Sequence, residues 1–134
     1  MKPALPRLFL GLIAFTFIAV GVAFLVAPVA SAVSVDLGLP TATARTDVRA
    51  TYGGLDLGIG IVLALCVRRR EWLRPGLVAV GLALAGFAAG RLVGLAAEGF
   101  LSPLLWGLLA IEVPGAALAF HLARRSPAVP LGET

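Results

Sequence analysis

The sequence predicts an all-α fold: a four-helix transmembrane bundle, antiparallel and up-down, with the N and C termini cytoplasmic. Three observations carry that expectation: an apolar composition, four apolar runs of membrane-spanning length, and basic residues gathered at alternate ends of those runs. Of 134 residues, 60% are hydrophobic and 13% charged, with a mean hydropathy of +1.01. A water-soluble domain carries roughly a quarter of its residues charged, because its surface faces water. Here the surface itself has to be apolar, so its solvent is lipid. The length suits a single domain over residues 1–134.

A helix crosses the ~30 Å hydrocarbon core with about 20 apolar residues. The first candidate span is residues 8–26, with no charge and only Thr16 as a polar side chain, closing at Ala27-Pro28. The second is residues 50–67 and contains Asp56; the third is residues 76–97 and contains Arg91. The fourth is residues 104–122, containing Glu112 and a kink expected at Pro114. The long first connection, residues 28–49, has room for a short interfacial helix. Both later connections are short and make their flanking helices antiparallel neighbours. Lys2 and Arg7 before the first run, with Ala30-Ser31-Ala32 after it, also read as a signal peptide with a small-x-small cleavage site. The apolar run exceeds the usual signal core of about 7 to 15 residues, which favours a retained span.

Orientation follows from Lys and Arg. Lys2 and Arg7 precede span one, Arg68, Arg69, Arg70 and Arg74 lie between spans two and three, and Arg124 and Arg125 follow span four. Arg45 and Arg49 on the other side are offset by Asp36 and Asp47. With four spans the three basic clusters share one side, the cytoplasm, and the expected location is the cell (inner) membrane. Trp72 and Trp106 fall where interfacial anchors belong, and His121 near a helix end reads as interfacial. The basic residues flank apolar runs instead of lining a helix face beside stacking aromatics. No nucleic-acid partner is therefore expected despite the net charge of +4.

Helices in lipid associate through close packing at small residues. Gly54 and Gly58 on span two, and Gly86, Gly90 and Gly94 on span three, form small-xxx-small steps. They are expected to serve helix packing, either within the chain or in a homo-oligomer.

Ionisable side chains inside a span are costly unless paired or hydrated, so each marks a candidate site. At ~1.5 Å per residue, Asp56, Arg91 and Glu112 all lie about 9 to 12 Å from the outer face. Arg91 leans toward its helix N-terminus and so toward the level of Glu112, and an ion pair of Arg91 with Glu112, or with Asp56, is expected. Arg49, Tyr52, Asp56 and Gly60 recur at spacings of three, four and four, one α-helical stripe. Glu98 follows Arg91 by seven residues on a second stripe. These predict an outer-half polar pocket lined by Arg49, Tyr52, Asp56, Arg91, Glu98 and Glu112, either a structural ion-pair network or a ligand or proton site. No catalytic residue is assigned, because no nucleophile has a nearby base and no glycine-rich phosphate loop occurs. No metal ligands and no cofactor are expected. Cys66, the only cysteine, allows neither an intrachain disulfide nor a cysteine-based metal site.

The run Arg49-Ala50-Thr51-Tyr52-Gly53-Gly54 with Leu57-Gly58, and the run Gly90-Arg91-Leu92-Val93-Gly94-Leu95, resemble the bacterial integral membrane family Domain of Unknown Function 4345. More distantly the chain is similar to DoxX-type four-helix membrane proteins. The resemblance covers nearly the whole chain and implies a four-helix membrane bundle without an established activity. It also implies that Arg49, Tyr52, Gly53, Gly54 and Arg91 match the family's pattern. The expected function is that of a non-catalytic accessory subunit, or a binder of a lipid or small apolar ligand, with the bilayer and a homo-oligomer or larger membrane complex as partners. The alternative is a proton-coupled transporter or membrane enzyme using Asp56 and Glu112.

Overall fold

The computed structural model describes residues 4–99 and 102–126, and all regular structure among them is helical; Lys2 lies outside the described residues. Four helices are long and apolar enough to cross a membrane: Ala4–Val26, Ala42–Arg68, Arg70–Glu98 and Pro103–Arg125. The first is α1. The second joins α3 (Ala42–Val48), a π-helical segment (Arg49–Leu55) and α4 (Asp56–Arg68). The third and fourth are α5 and α6, and a short α2 (Pro28–Val33) follows α1.

Each end is set by local chemistry that hydropathy does not register. The second long helix begins at Ala42, not near Ala50, because Thr41 caps it: its extended backbone (φ −112°, ψ 159°) lets the hydroxyl accept from the Ala44 N–H at 3.0 Å. The short helix expected in the first connection is α2, with Pro28 in its first turn, where a missing N–H costs nothing. α5 starts at Arg70 instead of Gly76 and takes Pro75 into its interior. So near the N-terminus, that proline forfeits one backbone hydrogen bond and leaves the rest of the ladder intact. α5 closes at Gly99, whose φ of 71° is the left-handed conformation that glycine adopts without steric cost. α6 opens on Ser102, which accepts from the Leu105 N–H at 3.4 Å, and runs through Pro114 to Arg125.

The exterior is apolar along every long helix. Leu8, Phe15, Val26, Val93 and Ile111 are each 68–76% exposed. Surfaces of this kind are unstable in water and ordinary in hydrocarbon, where helices satisfy all their own backbone groups. The chain is accordingly a multi-pass membrane protein.

The residues fall into two compact units, Met1–Leu10 with Cys66–Thr134, and Gly11–Leu65. In the first, α5 and α6 pack antiparallel: the Phe120 ring lies over Gly81, and Leu84 touches Gly115. Leu77, Val80, Ala88, Leu109, Ala116, Ala119 and Leu122 are buried in it, and Leu10 and Cys66 close on Gly76. In the second, α1 meets the π segment and α4 at nearly backbone-to-backbone distance. A Cβ on Gly21 would stand 2.6 Å from the Leu57 nitrogen, and one on Gly60 would stand 2.8 Å from the Ile18 nitrogen. Phe24, Ala32 and Val48 form a small core there, with Leu37 and Leu39 against it.

The glycines singled out for packing do not make these approaches. Among the described residues of its own unit, a Cβ at Gly58, Gly86, Gly90 or Gly94 meets no atom within 4 Å beyond its local helix, and one at Gly54 meets only the Arg49 carbonyl oxygen at 3.8 Å. Within each unit the tight contacts fall at Gly21, Gly53 and Gly60, or at Gly76 and Gly81. A small-xxx-small spacing marks a face that permits approach, and any of several faces meets that condition.

Candidate functional site

Arg91 stands on α5 seven residues before its end, and Glu112 stands on α6 nine residues after its start. At ~1.5 Å per residue the two are about 10 and 13 Å from the same ends of their helices. Antiparallel packing brings them together: Arg91 Nη1 lies 2.6 Å from Glu112 Oε1 and donates to Oε2 at 2.7 Å. One guanidinium nitrogen straddles both carboxylate oxygens, a short charge-assisted contact. The Glu112 side chain is 9% exposed and that of Arg91 is 21% exposed, so the acid is enclosed while the base reaches the helix surface. Phe87, one turn earlier on α5, places its ring centroid 6.0 Å from the guanidinium carbon, at the outer limit of a cation–π contact. Arg91 Nε is buried without an acceptor among the described residues. Five N–H donors point outward from a guanidinium, so this side chain retains hydrogen-bonding capacity beyond its pairing with Glu112.

The remaining candidates divide between the two units. Glu98, the last residue of α5, is exposed and takes no part in the pair. Arg49, Tyr52 and Asp56 belong to the Gly11–Leu65 unit. Arg49 Nε donates to the Leu25 carbonyl at 3.3 Å. The last four carbonyls of an α-helix have no intrahelical partner, and Leu25 is among those of α1, so Arg49 caps α1 and complements its negative end. Tyr52 stacks on Phe24 with centroids 5.2 Å apart, and a Cβ at Gly53 would meet the Leu25 side chain at 2.8 Å. Asp56 begins α4, is half-buried, and has no ion-pair partner within its unit among the described residues.

The single α-helical stripe expected for Arg49, Tyr52, Asp56 and Gly60 is therefore corrected. Residues Arg49–Leu55 wind as a π-helix, whose wider i→i+5 turn breaks the spacing of three and four. Arg49 and Tyr52 grip the C-terminal end of α1. Three residues that matter here escaped the sequence reading: Leu25, Phe24 and Phe87. The first two act from about 25 positions away, with no local signal. Phe87 precedes Arg91 by four residues, so helical spacing alone was enough to find it. A shallow, open concavity is lined by Ala42, Thr43, Thr46 and Asp47 of α3 and Ala50 of the π-helical segment. No group of three or more His, Cys, Asp or Glu suited to a metal occurs among the described residues.

A family profile described as Domain of unknown function (DUF4345) matches residues 5–123. No curated protein and no solved structure matches the chain.

Proposed function

The chain belongs to the DUF4345 family of unknown function, and from its own site we propose that it is a non-catalytic membrane protein that holds an amphiphile at Arg91. The ligand class is a lipid or small apolar molecule carrying an oxygen acceptor. The observation that carries the reading is the unequal use of the ion pair. Glu112 spends both oxygens on Nη1, while Arg91 Nε lacks an acceptor among the described residues and the side chain remains 21% exposed. Beside it, Phe87 is exposed and no atom stands where a Gly94 side chain would project. An apolar body has room to lie along α5 with its polar head at the guanidinium.

Proton transfer through Glu112, the alternative, would require the carboxylate to give up its contacts with Arg91 Nη1 on both oxygens. In this reading the polar pair occupies the outer half of a bacterial inner membrane and both termini are cytoplasmic. A second reading, an accessory subunit or homo-oligomer, is supported by the open face of Gly86, Gly90 and Gly94, which suits another transmembrane helix.

Native mass spectrometry of the full chain extracted in mild detergent tests the proposal. Wild type is expected to carry a bound amphiphile, and the double substitution Arg91→Leu with Glu112→Leu is expected to lose it. That variant keeps side-chain bulk and leaves no buried charge unpaired, so it is expected to fold. Undiminished adducts on a folded double variant would refute the assignment.

A further inference from the structure

A second set of arginines, far from Arg91, lies at the opposite end of the same unit. The contacts of Gly81 with Phe120 and of Leu84 with Gly115 fix the register of α5 on α6. That register places Arg124 and Arg125 at about the level of residues 74–77, beside Arg74. Gly76 in turn meets Leu10 and Cys66. Arg7, nearly one turn before Leu10, and Arg68, Arg69 and Arg70, just past Cys66, therefore reach the same end. Seven arginines from four chain segments converge there. Glu71 is the one acid among the described residues at this end, since Glu98 and Glu112 lie toward the other end of the hairpin.

Two features go beyond what membrane orientation requires. None of these seven arginines forms an ion pair among the described residues, and six of them are exposed. The seventh, Arg7, has its Nε buried without an acceptor among the described residues. A topology signal needs cations on one side of the bilayer; it does not need a guanidinium N–H enclosed and unanswered. Trp72, half-exposed, lies under the Arg69 guanidinium at 4.9 Å from its ring centroid, the arrangement of an interfacial anchor. The apolar stretch of α5 begins directly after Arg74, with Pro75, Gly76 and Leu77. The arginines thus gather at one end of the helices, and Val78 and Leu82, both exposed, begin the apolar outer surface of α5 beyond them.

We propose that this end is a binding site for the phosphodiester headgroup of an anionic phospholipid, held among Arg7, Arg74 and Arg124. Guanidinium forks match phosphate oxygens two at a time, and basic clusters between transmembrane helices at the membrane surface select anionic lipids. Arg7 supplies the enclosed N–H, Arg74 and Arg124 close around the phosphate from α5 and α6, and the acyl chains run along the apolar surface.

The test uses the delipidated full chain in mild detergent, titrated with phosphatidylglycerol or phosphatidylcholine and read by native mass spectrometry. At least about tenfold tighter retention of phosphatidylglycerol is expected, weakening with added salt. The double substitution Arg74→Gln with Arg124→Gln, both at exposed positions, is expected to abolish most of that preference while leaving the unfolding temperature unchanged. Arg7→Lys, which keeps the charge and loses the fork, is expected to weaken it partly. Equal retention of the two lipids, or a preference untouched by the double substitution, would overturn the proposal. So would millimolar inorganic phosphate displacing the lipid completely, since the site would then recognise free phosphate. Because the Arg91 site lies at the other end of the unit, Arg91→Leu with Glu112→Leu is expected to leave this lipid preference intact.

Discussion

Arg91 and Glu112 depend on each other. A carboxylate at 9% side-chain exposure inside a span is tolerable because a guanidinium nitrogen answers both oxygens. Arg91→Ala leaves that acid buried and alone, and breaking such a pair costs about 3–5 kcal/mol. Thermal unfolding in detergent is expected to show a clear drop for Arg91→Ala and a far smaller one for Arg91→Leu with Glu112→Leu. Equal losses in the two variants would mean the pair contributes no mutual stabilisation. The sequence showed that Arg91 needs an acid at matched depth but left Glu112 and Asp56 both open, and the packing of α5 on α6 supplies Glu112. The role of Arg49 was not legible, since its acceptor is a backbone carbonyl 24 residues earlier and every residue has such a carbonyl.

Helix contacts are decided by which glycines meet a neighbour's backbone. At Gly21 the nearest atoms to an added Cβ are the backbone of Leu57 and Gly53, at 2.6–2.9 Å. A main chain on both sides cannot yield as the end of a flexible side chain does, so Gly21→Ala is expected to destabilise by about 1–3 kcal/mol through overpacking. Gly90→Ala meets open space, and alanine's better helix propensity is expected to leave the fold unchanged or stabilised by up to ~1 kcal/mol. Unfolding temperatures of the two variants, with light scattering for oligomeric state, check both. A folded Gly90→Ala protein that dissociates from an oligomer would assign the open glycine face to self-association. The π turn at Arg49–Leu55 explains why periodicity misled at this scale. It was read as α-helical because no residue in Arg-Ala-Thr-Tyr-Gly-Gly-Leu announces an i→i+5 ladder; the docking of Tyr52 on Phe24 and Gly53 against Leu25 accompanies the wider turn.

For the molecule as a whole, four apolar helices with an apolar exterior make membrane insertion the governing fact, and the basic residues predict its direction. Cys66 is the only cysteine and is buried, so its replacement by Ala gives a background for topology mapping. On that background Arg70→Cys and Arg125→Cys are expected to react with a membrane-impermeant maleimide only from the cytoplasmic side. Ser102→Cys is expected to react only from the opposite side. Labelling of Ser102→Cys and Arg125→Cys from the same side would show that α6 does not span.

Helix number, helical class and membrane residence follow from the sequence alone, because they depend on sums over many residues: about 20 apolar side chains per crossing, and cations clustered at alternate ends. That Arg91 needs an acid belongs in the same category, since burying a charge alone is unfavourable; that the acid is Glu112 and not Asp56 was decided by the packing of α5 on α6. Tertiary structure decided which glycines carry close contacts, where the π turn falls, and that Arg49 and Tyr52 serve the end of α1. Each of these rests on a partner distant along the chain and on backbone geometry, and neither hydropathy nor spacing encodes what a carbonyl or a bare Cα will meet in three dimensions.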